Sequence, residues 1–409
     1  MALPAKDTLR KFILEEVARR SAGKPSISKL TVGLEHEFFL TRESGEPADH
    51  ELSQQFLKRL AAQPGWYIRE HSSTPKHGEM IWRCSEDSTN GKYTAVKYDH
   101  HPHLMEIAFS YESNLILMEQ VVIEKFRVLE KAAAESGSRI LNAPQLPVEA
   151  DSPAVTSSLA TFEKLRHYRG LLFDQRQEPR HPKHINYAAI IAASQTHVGG
   201  TSWWEHPEIV EKLYRIEPMI LAAAIAAFPK DERDRVLQTR WAGYQSVFKG
   251  FPLVGFPNIV AWDLDTWVAA LLSSPLAGGP SDAWSGKSID AYAQVPYSDW
   301  SKAFPLIRDL QIVRPRLFGT LEFRADPGQP SVERLMGLMA LRLGLVGAVI
   351  EGESVETNFK DSKDLWWSVV TGAKPAAAFA DTRWLKAASR VLSLRGYGEE
   401  VYLNVFGEI

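Results

Sequence analysis

The sequence has a single cysteine, no long apolar run and no large excess of charge of either sign. Because Cys84 stands alone, an intramolecular disulfide framework is excluded, and such low cysteine use is typical of a reducing compartment. The strongest apolar run, MILAAAIAAF at 219–228, is shorter than the ~20 residues of a membrane-spanning helix. The net charge of -3 argues against a nucleic-acid-binding protein, because phosphate binding requires concentrated Lys and Arg. We therefore expect a cytoplasmic protein with no membrane or nucleic-acid partner.

The chain also lacks internal repeats, low-complexity linkers and a recognisable targeting segment. Its first 24 residues mix Glu15 and Glu16 with basic residues, unlike a signal or transit peptide. The stretch SSPLAGGPSDAWSGKS at 273–288 predicts a surface loop or lid, and its GKS ending lacks the Gly that a phosphate-binding loop requires five residues earlier. We expect one catalytic domain over 1–409.

Apolar spacing predicts an α+β protein. Recurrence at three and four residues predicts helices, at 6–22, 51–63, 114–136, 207–228, 262–274, 331–351 and 382–394. Strand-like patterns occur at 30–40, 66–71, 79–84, 92–98, 103–110, 184–198 and 317–324. Short links between the early strands, including the turn signal TNGK at 89–92, favour antiparallel pairing, and the lack of β-α alternation argues against a doubly wound parallel sheet.

The stretch TVGLEHEFFL at 31–40 places two carboxylates in an apolar strand. Side chains alternate across a strand, so Glu35 and Glu37 share one face, with Cα atoms about 6.6 Å apart. Two like charges at that distance repel by about 2.5 kcal/mol at an effective dielectric near 20. Either water on a solvated strand face or divalent cations such as Mg²⁺ or Mn²⁺ would compensate this repulsion.

Three other strand-like segments carry polar groups in apolar surroundings. Asp99 and Glu106 stand seven residues apart in YDHHPHLMEIAFSY, at the entry and in the middle of a predicted strand. The adjacent His100, His101 and His103 suggest zinc only weakly, because neither cysteine ligands nor an H-E-x-x-H helix accompanies them. Each segment taken alone is also compatible with a solvated strand face.

The remaining two segments lie later in the chain. Gln195 and His197 end the apolar run AAIIAASQTHVGG just before two glycines, where a hydrogen-bonded core histidine is the ordinary alternative. In LFGTLEFRADPGQPSVERL, strand alternation puts four polar residues on one face, Thr320, Glu322, Arg324 and Asp326. A surface ladder of ion pairs would explain this face, but a Glu for a cation beside an Arg for a phosphate also builds a nucleotide site.

These segments carry a resemblance to a known group of enzymes. GLEHEFFL, the spacing from Asp99 to Glu106, QTHVGG and LEFRADPGQPSVERLMGLMALRLGLV resemble, in order and character, the glutamate–cysteine ligase and carboxylate–amine ligase group of the glutamine synthetase superfamily. The resemblance extends from about residue 30 to 350, and the matched motifs fill about a tenth of that stretch. It implies a curved, largely antiparallel sheet that forms a funnel-like active site, with helices packed outside.

The resemblance also implies roles for particular residues. The metal ligands would be Glu35, Glu37, Asp99, Glu106, His197 and Glu322, holding several Mg²⁺ or Mn²⁺ ions. Arg324 would contact phosphate, and a second basic contact is matched loosely by QTRWAGYQSVFKGFPLVGFP. There Arg240 is the first choice, Arg235 is the alternative, and Lys249 is a further nucleotide-binding candidate.

The activity implied is ATP-dependent amide formation between a carboxylate and an amine, of the γ-glutamyl type, through an acyl phosphate. The substrates would be small, amino-acid-like molecules. Three alternatives stay open at this point: a phosphotransferase of the same superfamily, a metal-dependent hydrolase, and a non-catalytic binding protein. The sequence does not identify the substrates or the oligomeric state.

Overall fold

The computed structural model describes residues 5–20, 23–74, 78–88, 90–148, 152–156, 189–226, 228, 241, 253–257, 263–274, 310–317, 319–371 and 382–407. The described helices are α1 (Ala5–Arg20), α2 (His50–Ala61), α3 (Leu115–Ser136), α4 (Pro153–Thr156), α5 (Pro207–Ala226), α6 (Leu264–Ser273), α7 (Val332–Ile350), α8 (Phe359–Val370) and α9 (Thr382–Arg395). The described strands are β1 (Thr31–Arg42), β2 (Trp66–Thr74), β3 (Gly78–Asp87), β4 (Tyr93–His101), β5 (Leu104–Glu112), β6 (Ser138–Leu141), β7 (Ser194–Gly199), β8 (Val254–Gly255), β9 (Leu310–Gln311), β10 (Val313–Pro315) and β11 (Leu321–Phe323).

Nine of these strands form one open sheet. Its order is β10-β11-β7-β1-β5-β4-β3-β2, and β6 also pairs with β1. All pairings in this sheet are antiparallel, whereas β8 and β9 form a separate parallel pair. The prediction of an α+β chain with a largely antiparallel sheet is confirmed, and the funnel shape stays a prediction.

One face of the sheet packs against helices. In β1, Val32, Leu34 and Phe38 are fully buried and belong to the main hydrophobic core, which is the face that strand alternation predicts for them. Helices α2, α3 and α7 contact the strands on this side. The opposite face carries the charged side chains, and we call it the polar face.

The helices lie where the sequence predicts them. All seven predicted helices are present, and their ends differ from the predicted ones by two residues or fewer. The predicted start of α7 is confirmed at its cap, where the Ser331 hydroxyl accepts a hydrogen bond from the Arg334 backbone N–H at 3.3 Å. An Asn or Asp side chain caps α2, α3 and α8 in the same way.

Two predicted strands are shorter in the structure. Within the segment 184–198, residues 184–188 lie outside the described part and β7 begins only at Ser194, after isolated bridges at Ile191 and Ala193. The segment 317–324 contributes only β11. The predicted turn at 89–92 is supported by a hydrogen bond from the Ser88 N–H to the Lys92 carbonyl at 2.8 Å, and the loop at 273–288 lies outside the described residues beyond its first two.

The two glycines after β7 serve close backbone packing. Gly200 has φ 118, and a Cβ there would lie 2.7 Å from the Lys29 carbonyl oxygen. At Gly199 a Cβ would lie 2.6 Å from the Thr31 hydroxyl oxygen. Side chains would therefore push β7 away from the start of β1. Among the described residues, no helix is long and apolar enough to cross a membrane.

Candidate active site

Strand register places most of the predicted ligands side by side on the polar face. His197 of β7 is opposite Glu322 of β11, and Glu37 of β1 is opposite Glu106 of β5. Glu35 is opposite Gln195. Cross-strand partners point to the same face and lie within side-chain contact, so side chains from segments about 290 residues apart in sequence meet here.

The first cluster consists of Glu35, His197 and Glu322. One potential ligand atom from each residue lies within 4.8 Å of those of the other two. The His197 Nδ1 atom is 3.2 Å from the Thr320 hydroxyl. Its buried Nε2 atom makes no hydrogen bond within the described residues and lies 3.7 Å from a Glu35 carboxylate oxygen. We call this cluster the histidine triad.

The second cluster consists of Glu37, Asp99 and Glu106, again with ligand atoms within 4.8 Å of one another. Asp99 lies near the end of β4 and Glu106 lies within β5, so Asp99 does not open the strand of Glu106 as the sequence analysis expected. The turn after His101 brings the two strands together. We call this cluster the carboxylate triad.

The carboxylate triad concentrates negative charge in a buried place. Glu37 and Glu106 are 7% and 5% exposed, and each pair of charges at 4.8 Å or less repels by at least about 3.5 kcal/mol at an effective dielectric near 20. The Lys97 Nζ atom, 2.8 Å from Glu106 Oε1, offsets part of this repulsion. Burial together with Glu35 and Asp99 nevertheless raises the pKa of Glu106, while Glu106 itself raises the pKa of Lys97.

The histidine triad is surrounded by arginines. The fully buried Glu322 carboxylate accepts a hydrogen bond from Arg316 at 2.6 Å and another from Arg324, and Arg314 lies 3.6 Å away. Arg314 is also the register partner of Glu322 across β10 and β11. The sequence pattern singled out Arg324 but did not reveal Arg314 and Arg316, which lie in the VRP and PRL stretches, respectively, just before β11.

These charges set the ionisation of the two glutamates in this triad. Burial alone would raise the pKa of Glu322, but the arginines, Arg316 first, hold it well below its usual range. Burial would likewise raise the pKa of Glu35, yet attraction to His197 and then Arg316 lowers it to about 2. Both carboxylates are therefore anionic at neutral pH and available as ligands.

Gln195 connects the two triads. Its side-chain nitrogen donates to Glu37 Oε1 at 3.1 Å, and its carbonyl oxygen accepts from Arg324 at 2.8 Å. Glu37 also accepts a hydrogen bond from the Ala193 backbone N–H at 2.7 Å. The Gln195 amide thus holds Glu37 of the carboxylate triad in a fixed position relative to Arg324, which lies beside the histidine triad. The sequence did not reveal this role.

Both triads fit divalent cations by their donor chemistry. The carboxylate triad offers only oxygen, which suits Mg²⁺ or Mn²⁺, and the histidine triad adds one imidazole nitrogen. The unpaired, buried Nε2 of His197 is an orphaned polar atom that a cation would satisfy. Glu322 retains ligand capacity beside its arginines, because a carboxylate has about four lone-pair sites.

The sequence-based prediction for Asp326 is wrong. Asp326 does not share the face of Glu322 and Arg324, since the strand ends at Phe323 and the Asp326 carboxylate accepts hydrogen bonds from buried Arg342 at 2.8 and 2.5 Å. That guanidinium also donates to Glu217 at 2.6 and 2.8 Å.

His101 and His103 are not ligands of either triad. Both rings are fully buried and lie 2.9 and 2.8 Å from the carbonyl oxygens of Val155 and Ala189. Among the described residues, the cation-binding groups contain no histidine other than His197, so the zinc alternative gains no support.

The remaining nucleotide-binding candidates, Arg235, Arg240 and Lys249, lie outside the described residues. Arg314 and Arg316 are thus the basic residues that the described structure adds beside Arg324.

The chain matches no family model and no curated protein. Among solved structures it is similar to a bifunctional glutathione synthetase from Pasteurella multocida, with 10% identity, a TM-score of 0.43, and coverage of 98% of this chain and 49% of that chain. It is also similar to GmaS without ligand, with 14% identity, a TM-score of 0.34, and coverage of 93% and 73%. A GmaS complex with ADP gives 13% identity, a TM-score of 0.34, and coverage of 93% and 74%.

Proposed function

We propose that this protein is an ATP-dependent carboxylate–amine ligase that forms an amide, of the γ-glutamyl type, through an acyl phosphate. The observation that carries the proposal is the pair of triads flanked by three arginines on one sheet face. The proposal rests on the site and not on the likeness to solved structures.

The two triads would hold Mg²⁺ or Mn²⁺. The ligands are Glu35, His197 and Glu322 in one and Glu37, Asp99 and Glu106 in the other. Bound cations would neutralise phosphate oxygens and the charge that develops during phosphoryl transfer. Gln195 would keep the two sites at a fixed separation through its bonds to Glu37 and Arg324.

The arginines complete the phosphate-facing side. Arg324 and Arg316 both donate to Glu322, and the planar fork of a guanidinium also matches the geometry of phosphate oxygens. Arg314 lies next to them at 3.6 Å from Glu322. Positive charge fixed in a partly buried site stabilises a transferring phosphoryl group more than it would in water.

The chemistry needs no nucleophile from the protein. In the proposed reaction, a substrate carboxylate oxygen attacks the γ-phosphorus of ATP and ADP leaves; the amine then attacks the acyl carbon and phosphate leaves. Cys84 has no place in this scheme, because it is fully buried, its thiol donates to the Leu57 carbonyl at 3.3 Å, and burial raises its pKa to about 12. The chain supplies position and charge.

The test is ATP consumption with Mg²⁺ across a panel of amino-acid pairs, with ADP, phosphate and product mass read together. The proposal expects stoichiometric ADP and phosphate and a product lighter than the substrate pair by one water. ADP with a phosphorylated product and no need for an amine would identify a phosphotransferase. Product formation without nucleotide would identify a hydrolase.

A matched variant ties any turnover to the site. Gln195→Leu removes both bridging hydrogen bonds but no charge, and we expect it to lower kcat by at least about tenfold. Gln63→Leu is the control, since Gln63 hydrogen-bonds Arg59 and Glu135 on the helical side. Equal loss in both variants would show that turnover does not depend on the geometry of the triads.

A further inference from the structure

Lys97 places a positive charge inside the carboxylate triad. Its Nζ atom lies 2.8 Å from Glu106 Oε1, and the two residues are register partners on adjacent strands. The carboxylate of Glu106 first, and then those of Glu35 and Asp99, raise the pKa of Lys97 against the effect of burial. Lys97 is therefore charged at neutral pH, and a metal ion bound to either oxygen of Glu106 would be repelled by the neighbouring ammonium group.

The contact between Lys97 and Glu106 is ionic but is not a well-formed hydrogen bond. Glu106 Oε1 is buried and makes no hydrogen bond within the described residues, although the ammonium group is near. By contrast, Lys92 donates a hydrogen bond to Glu112 at 2.5 Å. The charge of Glu106 is thus partly neutralised while its Oε1 atom still lacks a directed partner, which a divalent cation would supply.

Lys97 can leave the triad without losing a buried position. Its side chain is 39% exposed, whereas that of Glu106 is 6% exposed. A lysine has a flexible stem and a strongly hydrated ammonium group, which moves readily into water. The guanidinium of Arg342 has no such exit, because it is 1% exposed and is bound to two buried carboxylates. Lys97 is therefore a counter-ion that a stronger cation can displace.

We propose that Lys97 is a built-in competitor for the carboxylate triad, so that a divalent cation binds Glu37, Asp99 and Glu106 only by displacing it. This regulation of the site rests on the proposed function, which gives the bound cation its role. The affinity of Lys97 for Glu106 then sets the cation concentration at which the triad fills. Removal of Lys97 should strengthen cation binding, whereas loss of a metal ligand or of a packing residue would weaken it.

The experiment is a Mn²⁺ titration of the full chain at mildly alkaline pH, followed by electron paramagnetic resonance. We expect folded Lys97→Met and Lys97→Gln to bind Mn²⁺ about tenfold more tightly than the parent protein, since the ion no longer displaces a charge-assisted contact. Lys97→Arg keeps the charge and should show no such gain. Unchanged or weaker binding in both neutral variants would overturn the proposal.

Lys92→Met is the matched control. Lys92 also pairs with a buried glutamate, Glu112, and its side chain is 36% exposed, but it precedes β4 and its partner belongs to neither triad. Pulsed electron paramagnetic resonance distinguishes the two triads, because only Mn²⁺ bound by His197 couples to a coordinated imidazole nitrogen. The gain should appear in Mn²⁺ without this coupling. An equal gain in Lys92→Met, or a gain confined to nitrogen-coupled Mn²⁺, would overturn the proposal.

Thermal unfolding provides a second readout. Without cations, Lys97→Met should melt below the parent protein, because three close carboxylates have lost their counter-ion. Excess Mn²⁺ should then raise the melting temperature of Lys97→Met by more than it raises that of the parent, since the tighter ligand stabilises more. Equal shifts in the two proteins would overturn the proposal.

The competition by Lys97 and the ligase activity fail separately. Tighter Mn²⁺ binding in the neutral variants, with no ATP turnover by the parent protein, would support the competition and contradict the ligase proposal. ATP-dependent amide formation by the parent, with equal Mn²⁺ affinity in all variants, would refute the competition and leave the ligase proposal standing.

Discussion

Replacing Glu37 by Gln should stabilise the cation-free protein, which is an unusual expectation for a buried, hydrogen-bonded residue. Glu37 shares the carboxylate triad with Asp99 and Glu106 within 4.8 Å, and each like-charge pair costs about 3.5 kcal/mol at an effective dielectric near 20. Lys97 beside Glu106 screens part of that. The substitution removes the charge of Glu37 while its shape is retained.

The free-energy cost of disturbing the hydrogen bonds of Glu37 is smaller than the repulsion that the substitution removes. Glu37 accepts hydrogen bonds through both carboxylate oxygens, from the Ala193 N–H and the Gln195 side chain. Gln has one acceptor oxygen, so one donor loses its partner at a cost of about 1–3 kcal/mol, and the other bond weakens by about 1 kcal/mol. After this loss and the screening by Lys97, we expect a net gain in the free energy of unfolding of about 1–3 kcal/mol.

The assay is thermal unfolding in EDTA and again with excess Mn²⁺. In EDTA, Glu37→Gln should melt a few degrees above the parent protein. With Mn²⁺ at 100 times its Kd, the parent gains about 2.7 kcal/mol, and because the variant lacks a ligand the order should reverse. A variant less stable than the parent in EDTA would refute the reasoning about repulsion in this triad.

Further expectations concern the arginines, the buried ion pairs and the histidines. Glu322→Gln should have the opposite sign from Glu37→Gln and destabilise the cation-free protein by about 3 kcal/mol, because Arg316 and Arg324 lose the buried anion to which they donate. A neutral effect in urea unfolding would contradict the role of Arg316 and Arg324 as its partners. Arg324→Lys should raise the KM for ATP or lower kcat, since a point charge replaces a fork, and unchanged kinetics would place Arg324 outside the nucleotide site. Arg342→Met should cost 3 kcal/mol or more (about 3–5) in urea unfolding, because Glu217 and Asp326 stay buried without their cation, and a loss under 1 kcal/mol would show that these carboxylates find other partners. Burial lowers the pKa of His36 and His103 to about 4. As pH drops, the unfolded chain therefore takes up protons at these histidines before the folded chain does, and the free energy of unfolding should fall between pH 6.5 and about 4. His103→Gln should reduce the slope of the free energy of unfolding against pH by about 1.4 kcal/mol per pH unit, and an unchanged slope would show that His103 is not the titrating group.

Part of the site could be predicted from strand alternation alone. Glu35 and Glu37 do share one face, while Val32 and Leu34 lie in the core. The sequence could not show that the two glutamates belong to different triads, because this depends on which strands flank β1. β7 brings His197 to one side and β5 brings Glu106 to the other, and such long-range register is set by tertiary packing.

Other parts had no readable signal. Arg314 and Arg316 lie in and beside β10, a strand of three residues that ends in proline and is too short to show a period of two. Asp326 was misplaced because alternation was extended past the end of β11, where the chain turns toward Arg342. The helices were predicted well because most of them have long apolar periodicity and some have an Asn, Asp or Ser cap.

The central claim is that ATP phosphorylates a substrate carboxylate in this site. The most direct measurement uses amino acids labelled with ¹⁸O in their carboxylates, incubated with the protein, ATP and Mg²⁺, followed by mass analysis of the phosphate released. The account predicts phosphate that carries one ¹⁸O atom, formed together with ADP and an amide. Phosphate without the label, or substrate turnover that needs no ATP, would contradict it.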